Sequence, residues 1–578
     1  MLSIFRKFFN FSGDQKSRFS RSLIYFFFQS LFEAIRIPAI AVVIAALIEG
    51  NMTGGTALAS LGIMALSVVG CALTQSKSTM EQTVAGYTMC ANKRVEIGER
   101  LKYMPMGYFN QNNLGHIASV TTNTCEALQD VATRVILMYL QGVMTTGVIC
   151  LALFFFDWRI GLVASAGMAG FFLINAAMQR VSKGISPRKT ASDMRLVDAV
   201  LEYVQGIGVV KGFNLAARAG QKVEKEINEA NDVCFGMEKT FIPYMVSQSL
   251  LFKAFGLLMM LCAVLFYLNG SMTLVNAILM VIATFIVYGK LESAGMYSAL
   301  LRVVDQSVDK VQEIFKTPVM DEKGRDIAAG SANIQGKDVS FSYDTRRIID
   351  GVGFSIPEKT TTAIVGPSGG GKTTLTSLIA RFWDADAGSI TLDGRDVREY
   401  SLDSLLKNFS MVFQNVYLFN DTIENNIKFG TPGATRAQVE EAARKACCHD
   451  FITALPDGYD TVIGEGGATI SGGEKQRISI ARAMLKDAPV IILDEATANV
   501  DPENEKHLLD AIEALTRNKT IIMIAHRLKT VRHADQILVV DGGKIVQKGN
   551  HHQLMEEGGL YRDFVNMRVK SIGWKLGA

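Results

Sequence analysis

Six apolar stretches, all before residue 290, constrain this chain more than anything else in it. They lie near 22–48, 56–75, 131–156, 159–179, 244–268 and 272–289. A bilayer core takes about 20 helical residues to cross, so each stretch can span it. The reading is an all-α membrane domain of six helices. The polar stretches between them, 76–130 and 180–243, are too long for ordinary loops and hold few helix breakers. They read as helices that continue well beyond the membrane, since 40 further helical residues reach about 60 Å.

Lys and Arg are divided unequally among the connections. EGNMTGG, FDW and LNGSM contain neither. The stretches 76–130 and 180–243 are rich in both, as is the N-terminal segment with Arg6, Lys7, Lys16, Arg18 and Arg21. The positive-inside rule then places both termini and both long stretches in the cytoplasm. Phe5, Phe8 and Phe9 beside Arg6 and Lys7 suit a segment lying along the inner membrane surface. The first apolar run is long enough to read as a stable span, not a cleaved signal.

The chain carries a net charge of +3 and eight scattered cysteines. No basic run interleaved with aromatics points to nucleic acid. No cysteine spacing points to zinc or to a disulfide framework. A charged, Gly-bearing stretch at 316–333 reads as a linker. Short β-like runs alternate with helical ones after it, which indicates an α/β domain with a partly parallel sheet. The expected division is therefore a membrane domain at 1–315, the linker at 316–333 and the α/β domain at 334–578.

Three motifs in the second half carry phosphate chemistry. GPSGGGKT, Gly366 to Thr373, sits between an apolar run and a helical run. Its glycines let backbone N–H groups turn toward a polyphosphate, and the helix after it offers its positive end. The candidate nucleotide ligands are Gly366, Ser368, Gly369, Gly371, Lys372, Thr373 and Thr374. Lys372 supplies a point charge, and the Thr373 hydroxyl can ligate Mg²⁺. VIILDEAT reads as a buried strand delivering Asp494 to Mg²⁺ and Glu495 to the attacking water. In ISGGEKQR, Ser471 and Glu474 have the spacing of a helix capping box, and Gly472 and Gly473 let a phosphate approach the first turn.

With these motifs in this order, 334–578 reads as an α/β P-loop ATPase domain, and the chain resembles the ATP-binding cassette (ABC) transporter family. The resemblance implies further roles. Gln414 in MVFQNVYLF matches the Gln loop that reaches Mg²⁺ and the attacking water. Asp501 matches the D-loop, His526 the switch histidine, and Tyr343 the aromatic that stacks on adenine. Ile470 stands where Leu is usual, and Ala498-Asn499 where Ser-Ala is common. One membrane domain fused to one cassette looks like a half-transporter of the exporter fold. Such a half works with a second copy or a different half, two ATP molecules being enclosed between the two cassettes. The runs 108–117 and 206–214 resemble the intracellular turns that touch the cassettes. Membrane lipid and an amphipathic small molecule are the other implied partners.

Three function classes remain at this point. The first is an ATP-driven pump, usually outward in this fold. The second is uptake, because VFQNVYLFNDTIENNI and LEYVQGIGVVKGFN are similar to half-transporters that import iron–siderophore complexes. The third is a nucleotide-gated channel or regulator. A bacterial plasma membrane location fits each. Glu33, Arg36 and Lys253 lie inside spans, where ionisable side chains are costly and mark substrate paths. They are the candidate substrate residues; the alternative is that Glu33 and Arg36 neutralise each other as a pair on one helix and that Lys253 reaches to the inner interface.

Overall fold

The structure is a computed structural model. It describes residues 2–572 except 110, 215, 299, 321–323, 344–345, 465–466, 468–469, 495–501 and 525–530. For residues 2, 111–112, 186, 216–219, 502–508 and 568–572 it describes the backbone alone. The chain forms two compact units. One is Met1–Leu101 with Gln111–Thr317, the other Lys102–Asn110 with Pro318–Ala578.

The first unit is helical. Among the described residues, six helices are long and apolar enough to cross a membrane: Gly13–Ile48, Gly54–Leu101, Asn113–Phe156, Trp158–Gln205, Gly220–Leu268 and Leu274–Tyr297. The second and fourth each run 48 residues, about 70 Å at the helical rise. The polar stretches thus continue largely as helix, as their few breakers imply, interrupted between Leu101 and Gln111, where Pro105 and Gly107 lie, and at Gly206 and Phe213–Asn214. Polar side chains join the helices inside the bundle. Ser22 meets Ser78 at 2.7 Å and Ser30 meets Thr145 at 2.8 Å, all four buried. Each bond satisfies groups that lipid could not.

Two spans are interrupted where the sequence reads as continuous. The first divides at Ile35 into Lys16–Ala34 and Arg36–Ile48. Pro38 has no N–H for the Ala34 carbonyl four residues earlier, and its ring crowds that carbonyl. The sixth divides into Leu274–Thr284 and Gly289–Tyr297. Between them Ile286 and Val287 both donate to the Ala283 carbonyl at 3.0 Å, a tightened turn. The N-terminal helix Leu2–Phe11 turns Ile4, Phe8 and Phe11 inward onto protein, not toward lipid. Lys7 ties it down through Asp305 and Asp309, each at 2.7 Å.

The second unit holds two main sheets. Its strands are β1 (Ile334–Tyr343), β2 (Arg346–Ile356), β3 (Thr361–Val365), β4 (Ala387–Leu392), β5 (Arg395–Asp396), β6 (Phe409–Val412), β7 (Asp421–Thr422), β8 (Val462–Ile463), β9 (Val490–Asp494), β10 (Thr520–Ile524), β11 (Gln536–Asp541) and β12 (Lys544–Gly549). The larger sheet has the order β12-β11-β3-β10-β9-β6. It is parallel except for β12 at its edge. Strands buried on both faces read as near-continuous apolar runs, which explains AIV in β3, VIIL in β9 and IIMI in β10. An antiparallel sheet, β2-β1-β4-β5, forms beside it.

Candidate functional site

Strand register brings the sequence motifs to one edge of the parallel sheet. Ile364 of β3 lies opposite Ile524 of β10, and Ile524 opposite Asp494 of β9. Leu493 lies opposite Val412 of β6. Four strands therefore end nearly flush. The glycine-rich loop follows β3, Asp494 closes β9, and Gln414 follows β6 by two residues. The crevice beyond the carboxyl ends of such strands is where this kind of sheet binds ligands. Glu495, Asp501 and His526 lie outside the described residues, as does the Ala498-Asn499 departure.

The glycine-rich loop takes its shape from positions that exclude a side chain. Gly366 has φ 148° and Gly371 φ 103°. A Cβ on Gly366 would stand 2.0 Å from the Val540 carbonyl oxygen. The Gly543 N–H donates to the Gly370 carbonyl at 3.2 Å, so the β11–β12 turn is the floor under the loop. Sequence reading missed this floor, because nothing local to Val540 or Gly543 signals it. Gly371 is the N-cap of the helix Lys372–Ile379. The Lys372 side chain is buried, and its ammonium donates to the Gly366 and Pro367 carbonyls at 3.1 and 2.9 Å. It spans the concave side of its own loop, where an outer phosphate would sit. Ser368, Gly369 and Thr373 are exposed and Thr374 is buried.

Tyr343 ends β1 with its ring partly exposed. Its hydroxyl lies 3.4 Å from the Thr374 hydroxyl, which puts the ring beside the glycine-rich loop. Ser471 caps the helix Gly472–Lys486 in the reciprocal box that the spacing implies. Its hydroxyl accepts from the Glu474 N–H at 3.3 Å, and Glu474 accepts from the Ser471 N–H at 2.8 Å. Ser471 and Gly472 are exposed and Gly473 is buried.

That helix also holds the Gln414 segment, through side chains the sequence reading passed over. Gln476 donates to the Phe413 carbonyl at 3.3 Å. Arg482 donates to the Asn426 carbonyl at 2.8 Å and to the Tyr417 carbonyl at 3.4 Å. Burial lowers the basicity of the Arg482 guanidinium. Burial likewise lowers Lys486, whose ammonium serves the Leu406 and Phe409 carbonyls at 2.9 and 2.6 Å. The helix Gly472–Lys486 and the Gln414 segment are therefore built as one piece.

In the first unit, Glu33 and Arg36 flank the break in the first span. Their charged ends lie 3.9 Å apart. Arg36 also donates to Ser67 at 3.2 Å. A third charge completes the group: Lys290, just past the break in the sixth span, stands 3.8 Å from Glu33. Sequence reading missed Lys290 because it lies beyond the apolar run it follows. Lys253 is exposed and makes no hydrogen bond or ion pair with any described residue.

Known proteins agree with this architecture. The family model described as ABC transporter matches residues 349–498, and the one described as ABC transporter transmembrane region matches 23–288. An ATP-dependent lipid A-core flippase of Syntrophus aciditrophicus is 32% identical over 505 residues, covering 85% of this chain and 83% of that protein. A protein of the same name from Vibrio cholerae is 35% identical over 482 residues, covering 79% and 80%. The solved structure of a bacterial Atm1-family ABC exporter with ATP bound superposes with a TM-score of 0.86 at 25% identity. It covers 96% of this chain and 98% of that one.

Proposed function

We propose a function from one premise: this chain belongs to the ABC transporter family, as one membrane region fused to one ATPase domain. It is a multi-pass membrane protein that couples ATP hydrolysis to transport, and its relatives favour export of an amphipathic molecule over siderophore import. The finer assignment is a lipid-like amphipath with an anionic headgroup. The observation that carries it is the meeting of Arg36 and Lys290 on Glu33 between two interrupted spans. Charges at that depth face a cavity or a partner, and two cations on one carboxylate leave positive charge to spare. The flippase names of the relatives support the same class. Lys253 belongs to this substrate path by sequence position alone.

At the ATP site, Tyr343 would stack on adenine. The loop from Gly366 to Thr374 would hold the phosphates, and Lys372 would exchange its carbonyl partners for them. Thr373, Gln414 and Asp494 offer hydroxyl, amide and carboxylate oxygens, a donor set that fits Mg²⁺. The ion would offset phosphate charge. Glu495 would polarise the attacking water, with His526 and Gln414 orienting it. Ser471, Gly472 and Gly473 would close over ATP held by a second half-transporter, identical or different, with Asp501 at the same contact. The exposure of Ser471 and Gly472 supports that reading.

Glu495→Gln tests the hydrolytic assignment. It should keep ATP bound and nearly abolish phosphate release, and near-normal turnover would refute it. Arg36→Ala and Lys290→Ala test the headgroup assignment. In proteoliposomes each should reduce the ATPase stimulation given by an added anionic lipid more than that given by a zwitterionic one. Equal loss for both lipids would refute the charge argument.

A further inference from the structure

We propose that Tyr288 is a positioning residue that fixes Lys290 for an anionic headgroup, by seating its hydroxyl in a notch at Gly167 of the fourth span. The inference rests on the assignment of Arg36 and Lys290 to that headgroup. Lys290 needs outside support, because the helix that carries it starts only one residue earlier. Tyr288 is the N-cap of that helix, Gly289–Tyr297, and its carbonyl accepts from the Glu292 N–H at 2.8 Å. On the other side of Tyr288 lies the break in the sixth span. There the Gly289 N–H reaches only the Ile286 carbonyl, at 3.4 Å. The rotation and height of Lys290 are therefore set by whatever holds Tyr288.

The Tyr288 side chain is held at its tip and on its face. It is buried, and its hydroxyl donates to the Ala164 carbonyl at 2.9 Å. Gly167 lies three residues past Ala164, on the same helix face. A Cβ built on Gly167 would stand 2.1 Å from the Tyr288 hydroxyl oxygen, 2.7 Å from its Cζ and 3.1 Å from Phe255 Cγ. The fourth span admits the phenol only because residue 167 has no side chain. The ring stacks on Phe252 of the fifth span at 4.9 Å, and Phe252 on Phe171 at 5.7 Å. Stacked rings can slide in their plane, and the hydrogen bond decides where this one stops. A second notch backs Lys290 itself. A Cβ on Gly142 of the third span would stand 2.6 Å from the Lys290 carbonyl oxygen and 2.6 Å from Ala294 Cβ. Packing this close leaves the backbone at 288–294 little freedom. The Lys290 side chain is meanwhile 46% exposed, with its ammonium 3.8 Å from Glu33. A fixed backbone beneath an accessible cation is what a site of defined geometry requires.

Tyr288→Phe gives the test, because it keeps the stacked ring and removes only the hydroxyl. The full-length protein is reconstituted in phosphatidylcholine liposomes. Its ATPase stimulation is titrated with phosphatidylglycerol, which is anionic, and separately with phosphatidylethanolamine, which is zwitterionic. Tyr288→Phe should raise the half-saturating amount of phosphatidylglycerol by roughly 3-fold or more, the weight of one ordinary hydrogen bond. Maximal stimulation should be kept, and the phosphatidylethanolamine curve should not move. In a Lys290→Ala background Tyr288→Phe should have no further effect, since the cation that it positions is gone. A phosphatidylglycerol curve unmoved by Tyr288→Phe, an equal shift for both lipids, or the same shift in both backgrounds overturns the proposal. Lys290→Ala alone separates this from failure of the headgroup assignment. If it weakens the response to both lipids equally, that assignment falls and the proposal with it. If it acts on phosphatidylglycerol alone while Tyr288→Phe does nothing, only the proposal falls. Gly167→Ala displaces the same hydroxyl from the opposite side, so it should reproduce the selective shift. It decides by the same criteria if Tyr288→Phe does not accumulate.

Discussion

Replacing Glu33 by Gln removes the one carboxylate from a group of three charges. Its Oε1 lies 3.9 Å from Arg36 Nη1 and 3.8 Å from Lys290 Nζ. Its Oε2 is buried without a hydrogen-bond partner among the described residues. Two unit charges at that distance attract by about 4 kcal/mol at an effective dielectric of 20. The cations are not buried, however: the Arg36 side chain is 38% exposed and that of Lys290 46%. Screening brings each contact toward the roughly 1 kcal/mol of solvent-facing pairs. Glu33→Gln should then cost about 2 kcal/mol, since two pairs are lost. In a unit this large that lowers the melting temperature by roughly 4 °C.

A thiol-reactive dye can follow the unfolding, because Cys71, Cys90, Cys125 and Cys150 are free and buried in the first unit. Lys290→Gln should cost less in the Glu33→Gln background than in the parent, with a coupling of about 1 kcal/mol. The functional half follows from the same charges. With the internal counter-ion gone, an anionic amphiphile should bind the variant more tightly than the parent and restore its melting temperature. A zwitterionic one should do neither. An unchanged melting temperature with additive single variants would refute the electrostatic account.

Gly366→Ala should abolish ATP binding while leaving the melting of the first unit unchanged. Its Cβ would meet the Val540 carbonyl oxygen at 2.0 Å, and backbone cannot yield as a side chain can; ATP titration beside dye-detected unfolding checks both parts. Glu424 should give the second unit an acid-side sensitivity. The hydrogen bond from Lys428, and next that from Arg436, hold its carboxyl below the usual glutamate range. A depressed carboxyl stabilises the fold above its ordinary value and loses that contribution as pH falls through the folded one. Glu424→Gln should therefore flatten the loss of stability between about pH 5 and the acid limit, seen by thermal unfolding across that range. A parallel loss in both proteins would contradict it.

The six spans and the ATPase core were legible because each rests on a local rule. Lipid demands about 20 apolar residues, and a strand buried on both faces reads as a near-continuous apolar run. The Ser471–Glu474 box was legible for a similar reason, as both of its bonds close within four residues. What escaped the sequence is set by distant contacts. Val540 and Gly543 carry no motif, yet they shape the loop that does. Gln476 and Arg482 look like ordinary helix surface until the Phe413 and Asn426 carbonyls are seen to face them. Gly107 reads as a turn glycine, and only the indole of Trp383 shows why a side chain is excluded. Lys253 shows the opposite limit. Its place inside an apolar run suggested a partner, and position along one helix says nothing of what faces it.

The charged group and the two broken spans belong to one arrangement. The first span breaks at Ile35, between Glu33 and Arg36. The sixth breaks at 285–288, two residues before Lys290. A broken helix bends at lower cost than an intact one, because its carbonyls have already given up their regular partners. Each of the three charges therefore sits within two residues of a point where its helix can bend. An ion pair across two such points favours one pair of bend angles. If the substrate is the proposed anionic amphiphile, a headgroup competing for Arg36 and Lys290 would remove that preference and substitute its own. Substrate charge could thus act directly on the shape of the first and sixth spans, by differential affinity for two arrangements. This is also why the sequence could name Glu33 and Arg36 but not what they are for: the bends that give them leverage arise from Pro38 and from the tightened turn at Ala283, and neither adds a charge.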